Sequence, residues 1–443
     1  LAQKRLVLIA WVCFSAFAGA AHAQTLLEMY RYARDNDPKF RGAQFEFRAS
    51  EQVLAQANAG LWPQIKLEFD KVNSEQRILR SNNPIFGAGQ THFPTNNYTL
   101  SLSQPIFRKD LIERLAQAQA VVRQSSYTML AAEQDLLLRT AASYLAVLAA
   151  RDSLELARAE KDSVRKQLDL AEGRLKSGLG AVTNLYEAAA RYAVDQAKEI
   201  EAENKFADLK QSLREITGRF FDNFRRMREE LALATPDPAK LDDWLEKSYG
   251  QNLALLARTE GVQVAWQEVE RQRAGYFPSV TFLGQRNHRE AGSTLFGGGS
   301  TVMTTDLTLR LSIPVYEGGM TRALTAESVF RHQKSLEDRE AELRSVERQT
   351  RAAYNSVVGG VSMVKAYQQS VLSQQKALEA KEAGARSGLY TMLMVLDTNR
   401  DLFTARRDYA QARYDYLLNG LRLKQAAGTL SEQDLYAIDA AFN

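Results

Sequence analysis

Cysteine is nearly missing from this 443-residue sequence: Cys13 is the only one. It lies in an apolar run from Leu6 to Ala18, behind Lys4 and Arg5 and ahead of Ala21-His22-Ala23. That is the layout of a secretory signal peptide with a small-x-small cleavage site. Residues 1–23 are therefore expected to be a signal peptide, leaving a mature chain from Gln24 with no thiol for disulfides, nucleophilic catalysis or metal ligation. Histidine is scarce as well: His22 falls in the leader, His92 and His288 in or beside expected loops, and His332 alone on a helix, none at metal-ligand spacing. Neither sign of charge is in excess. Without Lys4 and Arg5 there are 55 basic against 53 acidic residues, which gives no reason to expect nucleic acid as a partner. A mean hydropathy of −0.36 is too polar for a bundle of membrane-spanning helices. The run Gly297-Gly298-Gly299-Ser300 lacks the lysine of a phosphate loop, and no paired-carboxylate or Ser/His/Asp arrangement stands out. Nothing points to an enzyme, a cofactor or a metal.

Proline is also sparse, and its placement is informative. All nine prolines lie outside two stretches, Asp110 to Gly178 and Met320 to Gly388, and outside the segments that follow them; an interior proline would cost a helix ~3 kcal/mol. In the first stretch, apolar positions recur at alternating steps of four and three: Leu111, Leu115, Ala118, Val122, then Met129, Ala132, Leu136. After a four-four step at Thr140 the rhythm resumes through Ser143, Val147, Ala150, Leu154, Ala157, Lys161, Val164, Leu168, Ala171 and Leu175. This seam predicts a helix packed along its whole length against other helices, with a stutter at Thr140. At about 1.5 Å per residue each such rod is roughly 100 Å long.

In chain order, a short helix (Thr25–Asn36) and a longer one (Lys39–Ala59, opened by Pro38) precede Gly60-Leu61-Trp62-Pro63. Ile65, Leu67 and Phe69 then alternate with Lys66, Glu68 and Asp70, the period of a strand with one apolar face. Residues 79–94, rich in Asn, Gly and Pro, read as a long loop. Tyr98, Leu100 and Leu102 give a second strand, ended by Pro105. The first rod, a break at Ser177-Gly178-Leu179-Gly180 and a return helix from Val182 to about Thr217 complete the unit. The second half repeats it. Ala274-Gly275-Tyr276-Phe277-Pro278 answers Ala59–Pro63, Pro314-Val315-Tyr316 answers Pro105-Ile106-Phe107, and Ser387-Gly388-Leu389 answers Ser177–Leu179. Its strands are expected at Val280–Leu283 and Leu307–Ile313, around a glycine-rich loop from Gly292 to Ser300. The expected division is a first repeat at 24–218, a linker at 219–250 and a second repeat at 251–443. The linker holds Phe220–Lys240 and a short helix, Leu241–Tyr249. Its basic cluster Arg225-Arg226-Arg228 reads as a solvated face or a contact around the middle of the helical rods.

Four amphipathic strands cannot close a membrane barrel, because an open sheet edge in lipid costs several kcal/mol per unpaired backbone group and barrels begin at eight strands. Several copies pooling their strands in an outer membrane would solve this. A small water-exposed sheet on a non-conducting periplasmic coiled-coil scaffold or adaptor is the alternative. Trp62, Phe69, Tyr98, Phe107, Tyr276, Phe277 and Tyr316 suit an interfacial belt or ordinary core packing.

The duplicated order, Pro314-Val315-Tyr316-Glu317-Gly318-Gly319-Met320, and Gly388 followed by Val395-Leu396-Asp397 carry a resemblance. So do Ala412-Arg413-Tyr414-Asp415-Tyr416-Leu417-Leu418-Asn419 and Gly428-Thr429-Leu430-Ser431-Glu432-Gln433-Asp434-Leu435. Over nearly the whole mature chain the sequence resembles the TolC-type outer-membrane channels of type I secretion and multidrug efflux. The resemblance implies an α+β fold with long antiparallel coiled-coil helices and four transmembrane strands per chain. It further implies a homotrimer with a twelve-stranded β-barrel continuous with a twelve-helix α-barrel, set in outer-membrane lipid with the helices in the periplasm. Implied partners are a periplasmic adaptor (membrane fusion protein) and an inner-membrane ABC or proton-driven transporter.

The resemblance also singles out residues. The tip turns at Gly178-Leu179 and Gly388-Leu389 are expected to seat the adaptor, although turn chemistry alone would also favour glycine there. Asp397 stands where the family has an acidic ring at the periplasmic entrance; a solvated carboxylate near a helix start is the plainer alternative. Met394 replaces a second entrance aspartate. Asn184, Ala385 and Tyr390 stand where TolC-type tips carry an aspartate, a tyrosine and an arginine that lock the closed state, so that lock cannot form in the same way. Met394 is expected to make an apolar constriction, with Asp397 the only acidic ring.

Overall fold

The computed structural model describes residues 25–80, 89–228, 231–293 and 298–442. The expected signal peptide lies outside the described residues, as do parts of both strand-to-strand loops. Both rods form: α3 runs Lys109–Lys176 and α7 runs Met320–Arg386. Their return helices are α4, Val182–Thr217, and α8, Met392–Ala426. Along α3 the buried positions include Ala118, Leu136, Thr140, Val147, Ala150, Leu154, Ala157, Val164, Leu168 and Ala171, which is the predicted seam. Thr140 and Thr350 are both fully buried, their hydroxyls unpartnered. They stand 210 residues apart, so the polar break recurs at one place in each rod. The remaining helices are α1 (Leu26–Asn36), α2 (Pro38–Ala59), α5 (Leu241–Gln251), α6 (Leu253–Arg273) and α9 (Glu432–Asp439).

The chain divides into two compact units, each drawing on both halves of the sequence. One takes residues up to Gln44, Thr128–Leu255 and Leu343–Asn443. Its core gathers Leu26, Met29, Tyr30, Phe40, Leu136, Tyr144, Leu148, Leu213, Leu435 and Phe442. Local chemistry holds α1 against α9. Thr25 caps α1 in a box with Glu28, and the Asp439 carboxylate accepts the free N–H groups of Leu26 (2.9 Å) and Leu27 (3.2 Å), where the helix dipole favours an anion. Burial nonetheless pushes the Asp439 carboxyl above its ordinary range. The segment after α4 is not free of this core. Phe221 and Phe224 are buried in it and Met227 packs beside it, bridging to Phe442, whereas Arg226 faces out and pairs with Glu155 at 2.8 Å.

The second unit takes Phe45–Tyr127 and Leu256–Glu342. Its sheet is an antiparallel meander in the order β1 (Gln64–Ile78), β2 (Gly89–Phe107), β3 (Ser279–Ala291), β4 (Ser300–Ser312). The strands exceed the expected lengths. Residues 89–94, expected as loop, are paired with β1 from Ile78 to Asn73. Pro94 is tolerated because the paired register of β3 ends opposite Thr95; beyond it the Pro94 carbonyl accepts the Gly292 N–H at 2.8 Å, and no ladder bond there needs an N–H from Pro94. Pro105 does not end β2; the strand continues to Phe107 through an irregularity in its pairing with β3. His92 and His288, expected in or beside loops, lie within β2 and β3. His332 packs against Trp266 with the rings tilted by 58° and their centroids 5.4 Å apart.

Candidate functional site: a lipid-type sheet face and a charged helix tip

Directly opposed residues of an antiparallel sheet share a face. The register aligns Ile65 with Leu102, Gly284 and Leu307. It also aligns Phe69 with Tyr98, and Phe282 with Leu309. One face thus carries Ile65, Leu67, Phe69, Tyr98, Leu100, Leu102, Val280, Phe282, Leu307, Leu309 and Leu311. Gly284 lies between Leu102 and Leu307 on this face, and a Cβ there would meet them at ordinary contact distances of 3.6–3.9 Å. The opposite face carries Lys66, Glu68, Asp70, Thr99, Ser101, Gln285, Asn287, Asp306, Thr308 and Arg310, with Val72, Phe93, Leu283 and Val302 among its apolar exceptions, while Lys71, Arg286 and His288 interrupt the apolar side. The apolar side chains are uncovered within the chain: Leu307 is 74% exposed.

The apolar band crosses the strands at a slant. Its centre is Leu67 on β1 and Leu309 on β4, while the register carries Leu67 across to Thr305. That drift of four residues over three interstrand steps is a slope of roughly 40–45° at ~3.3 Å per residue and ~4.8 Å per strand. Strands of membrane barrels tilt by this amount. The aromatics expected as a belt are exposed, not core: Phe69 and Tyr98 stack at one end of the band (centroids 4.8 Å), and Trp62, Phe107, Tyr276 and Phe277 stand exposed at the strand roots. No helix among the described residues is long and apolar enough to cross a membrane.

The helix tips are built alike. At the first, Gly178 has φ +70, its N–H donates to Leu175 O (3.0 Å), and Leu179 N–H donates to Arg174 O (2.9 Å). At the second, Gly388 has φ +79 and Leu389 N–H donates to Gly384 O at 2.8 Å. These are Schellman closures, in which the residue after the glycine normally tucks its apolar side chain against the helix. Here Leu179 is 84% and Leu389 73% exposed. Tyr390 lies over Gly384, where a Cβ would meet its ring at 2.5 Å. Met394 is exposed and Asn184 half-buried; Thr391 caps α8 by accepting the Met394 N–H.

Asp397 is not a lone carboxylate. Its Oδ1 accepts from Arg191 of α4 at 2.8 Å and lies 3.8 Å from Arg400, which also pairs with Asp401 at 3.1 Å. Farther from the tip is a buried charged layer. Glu160 of α3, fully buried, accepts from Lys198 (3.1 Å) and Arg407 (2.8 Å), and Lys198 also reaches buried Asp195 (2.8 Å). Ser163 bonds Asn399 at 3.0 Å, and Lys381 of α7 bonds Thr398 at 2.7 Å. Sequence reasoning missed Arg191 and this layer. The one visible signal was Lys161, the only charged residue on the seam, which here pairs with Glu199 at 2.7 Å.

A profile of the family described as "Outer membrane efflux protein" matches residues 29–219 and 244–429. The chain belongs to that family. Outer membrane protein TolC of Vibrio cholerae serotype O1 is 32% identical over 99% of this chain and 98% of its own length. The TolC of Escherichia coli K12 is 28% identical, covering 100% and 90%. The alkaline protease secretion protein AprF of Pseudomonas aeruginosa is 29% identical, covering 95% and 88%. The crystal structure of the Campylobacter jejuni CmeC outer membrane channel superposes with a TM-score of 0.80 at 13% identity, covering 94% of this chain and 89% of that one. The fold of this family member is therefore that of the outer-membrane channels: an α+β chain of long helices with four antiparallel strands. It is an outer-membrane efflux channel protein, and its family is one of transport channels rather than of enzymes. The scaffold alternative is not favoured.

Proposed function

We propose that three copies of this chain form one outer-membrane exit duct, each giving four strands to a twelve-stranded wall and its helices to a periplasmic conduit. A periplasmic adaptor couples it to an inner-membrane transporter that selects and energises the cargo. The observation that carries this reading is the sheet. It has two unpaired edges, one apolar and one polar face, and an apolar band slanted as in a membrane barrel. An open edge in lipid is too costly to persist, and a closed ring of copies removes it.

Within that duct, the bare turns at Gly178-Leu179 and Gly388-Leu389 seat the adaptor, their exposed leucines supplying the apolar contact. Asp397, Met394, Asn184 and Tyr390 surround the periplasmic constriction. The two repeats, joined by 219–250, give each copy two such tips. Relatives described as protease secretion proteins and as a pyoverdine export outer membrane protein support export of either proteins or small molecules. The test is reconstitution of purified protein into planar bilayers. The duct predicts discrete single-channel steps and co-isolation with an adaptor and an inner-membrane transporter after cross-linking in cells. A protein that stays monomeric and leaves the bilayer silent contradicts it.

A further inference from the structure

We infer that Arg191 sets the ionic character of the constriction by masking Asp397. The inference rests on the reading that places Asp397 at the periplasmic entrance. A carboxylate aimed into a narrow water-filled passage, repeated in each copy, would be a ring of fixed negative charge that concentrates cations. In this chain that charge is already answered. Arg191 donates to Asp397 Oδ1 at 2.8 Å from the neighbouring helix α4, a charge-assisted bond of ordinary strong length. Arg400 stands 3.8 Å away on the following turn, shared with Asp401.

The local set is two cations against two anions, so its net charge is zero. Exposure adds to the asymmetry: the Arg191 side chain is 22% exposed and that of Asp397 42%. The guanidinium is the better buried partner and reaches across from α4 to α8. The entrance is therefore charge-compensated as built, and a cation gains little by entering it. Removing Arg191 exposes the carboxylate without altering the turn, the cap or Met394.

Single-channel recording at low ionic strength, with hexamminecobalt(III) added as a trivalent blocker, tests this. Wild-type channels are expected to block weakly. Arg191→Gln lowers the half-blocking concentration by about tenfold or more, as unmasking one unit charge per copy would at a few ångströms. Arg191→Lys keeps the weak block. Adding Asp397→Asn to Arg191→Gln restores it. Should Arg191→Gln assemble poorly, Asp397→Asn alone serves. It is expected to leave block weak and to shift the reversal potential toward anions, because Arg191 is then unbalanced. Strong block in the wild type that Asp397→Asn alone abolishes overturns the masking while leaving Asp397 at the entrance. Conducting channels whose block and reversal potential ignore both residues overturn that placement as well.

Discussion

Leucine does opposite things in the two compact units. Leu136, Leu145, Leu148 and Leu213 of the helical unit are buried almost completely, whereas Leu67, Leu307, Leu309 and Leu311 of the sheet unit stand in the open. A water-soluble domain rarely shows an apolar patch of that continuity. The difference is one of solvent. The helical unit buries a continuous apolar core within itself and pairs its buried charges, as Glu160 does with Lys198 and Arg407. The sheet unit keeps its apolar surface for a medium the chain does not supply. Residue type alone does not reveal which is which; the period does. A seam at steps of three and four buries itself against other helices, while alternation on a four-stranded sheet with open edges needs lipid and more strands.

The largest effect is expected from truncating the self-sufficient core. Leu148→Ala should cost about 2–5 kcal/mol, read as a lower denaturation midpoint, whereas Leu307→Ala should leave that midpoint nearly unchanged. Equal losses would erase the distinction between the units. Next, a charge on either face of the sheet separates lipid from lumen. Leu309→Arg should cost roughly 2–4 kcal/mol in the membrane and reduce assembled channel, while Thr308→Arg beside it should assemble normally. Tolerance of both would mean that the apolar face does not meet lipid.

A smaller effect is expected at the tip. Nothing crowds Gly178, so Gly178→Ala should cost only the ~1–2 kcal/mol of a positive φ and spare bilayer conductance while weakening co-isolation of the adaptor. Retained adaptor capture would show that the bare turn is only turn chemistry. The smallest effect concerns acid. Burial alone would raise the Asp37 carboxyl, but the paired bonds from Arg139 (3.0 and 3.1 Å) and the Phe40 N–H hold it below the ordinary range. A depressed folded value adds stability above the unfolded value that fades as pH falls through the folded one. Wild-type protein should therefore lose more stability than Asp37→Asn below about pH 4, and parallel pH curves would show that the pair contributes nothing.

Much of this architecture was legible in the sequence. The rods, their turns and the repeat follow from proline placement and the seam, because a long helix with one partnered face leaves a periodic trace. Strand lengths were less legible. Residues 89–94 look like loop by composition, yet pair with β1 past the point where β3 ends. At the tip, the glycine turns could be found because turn chemistry is local, whereas the exposure of Leu179 and Leu389 runs against it and shows only in the folded chain. The Arg191–Asp397 pair spans 206 positions, and buried Glu160 and its partners Lys198 and Arg407 come from three helices. No spacing rule reports such partners; only the folded geometry brings them together.

The shared wall is tested most directly at the sheet edges. With Cys13 absent or replaced by serine, Glu68→Cys on β1 and Arg310→Cys on β4 place thiols on opposite edges of one four-stranded sheet, three strand spacings and six register positions apart, too far to pair within one copy. Oxidation in membranes should give a reducible species of three chains, with dimers as intermediates and none larger. A chain that stays monomeric under oxidation, or that ladders without limit, would contradict a closed barrel built from three copies.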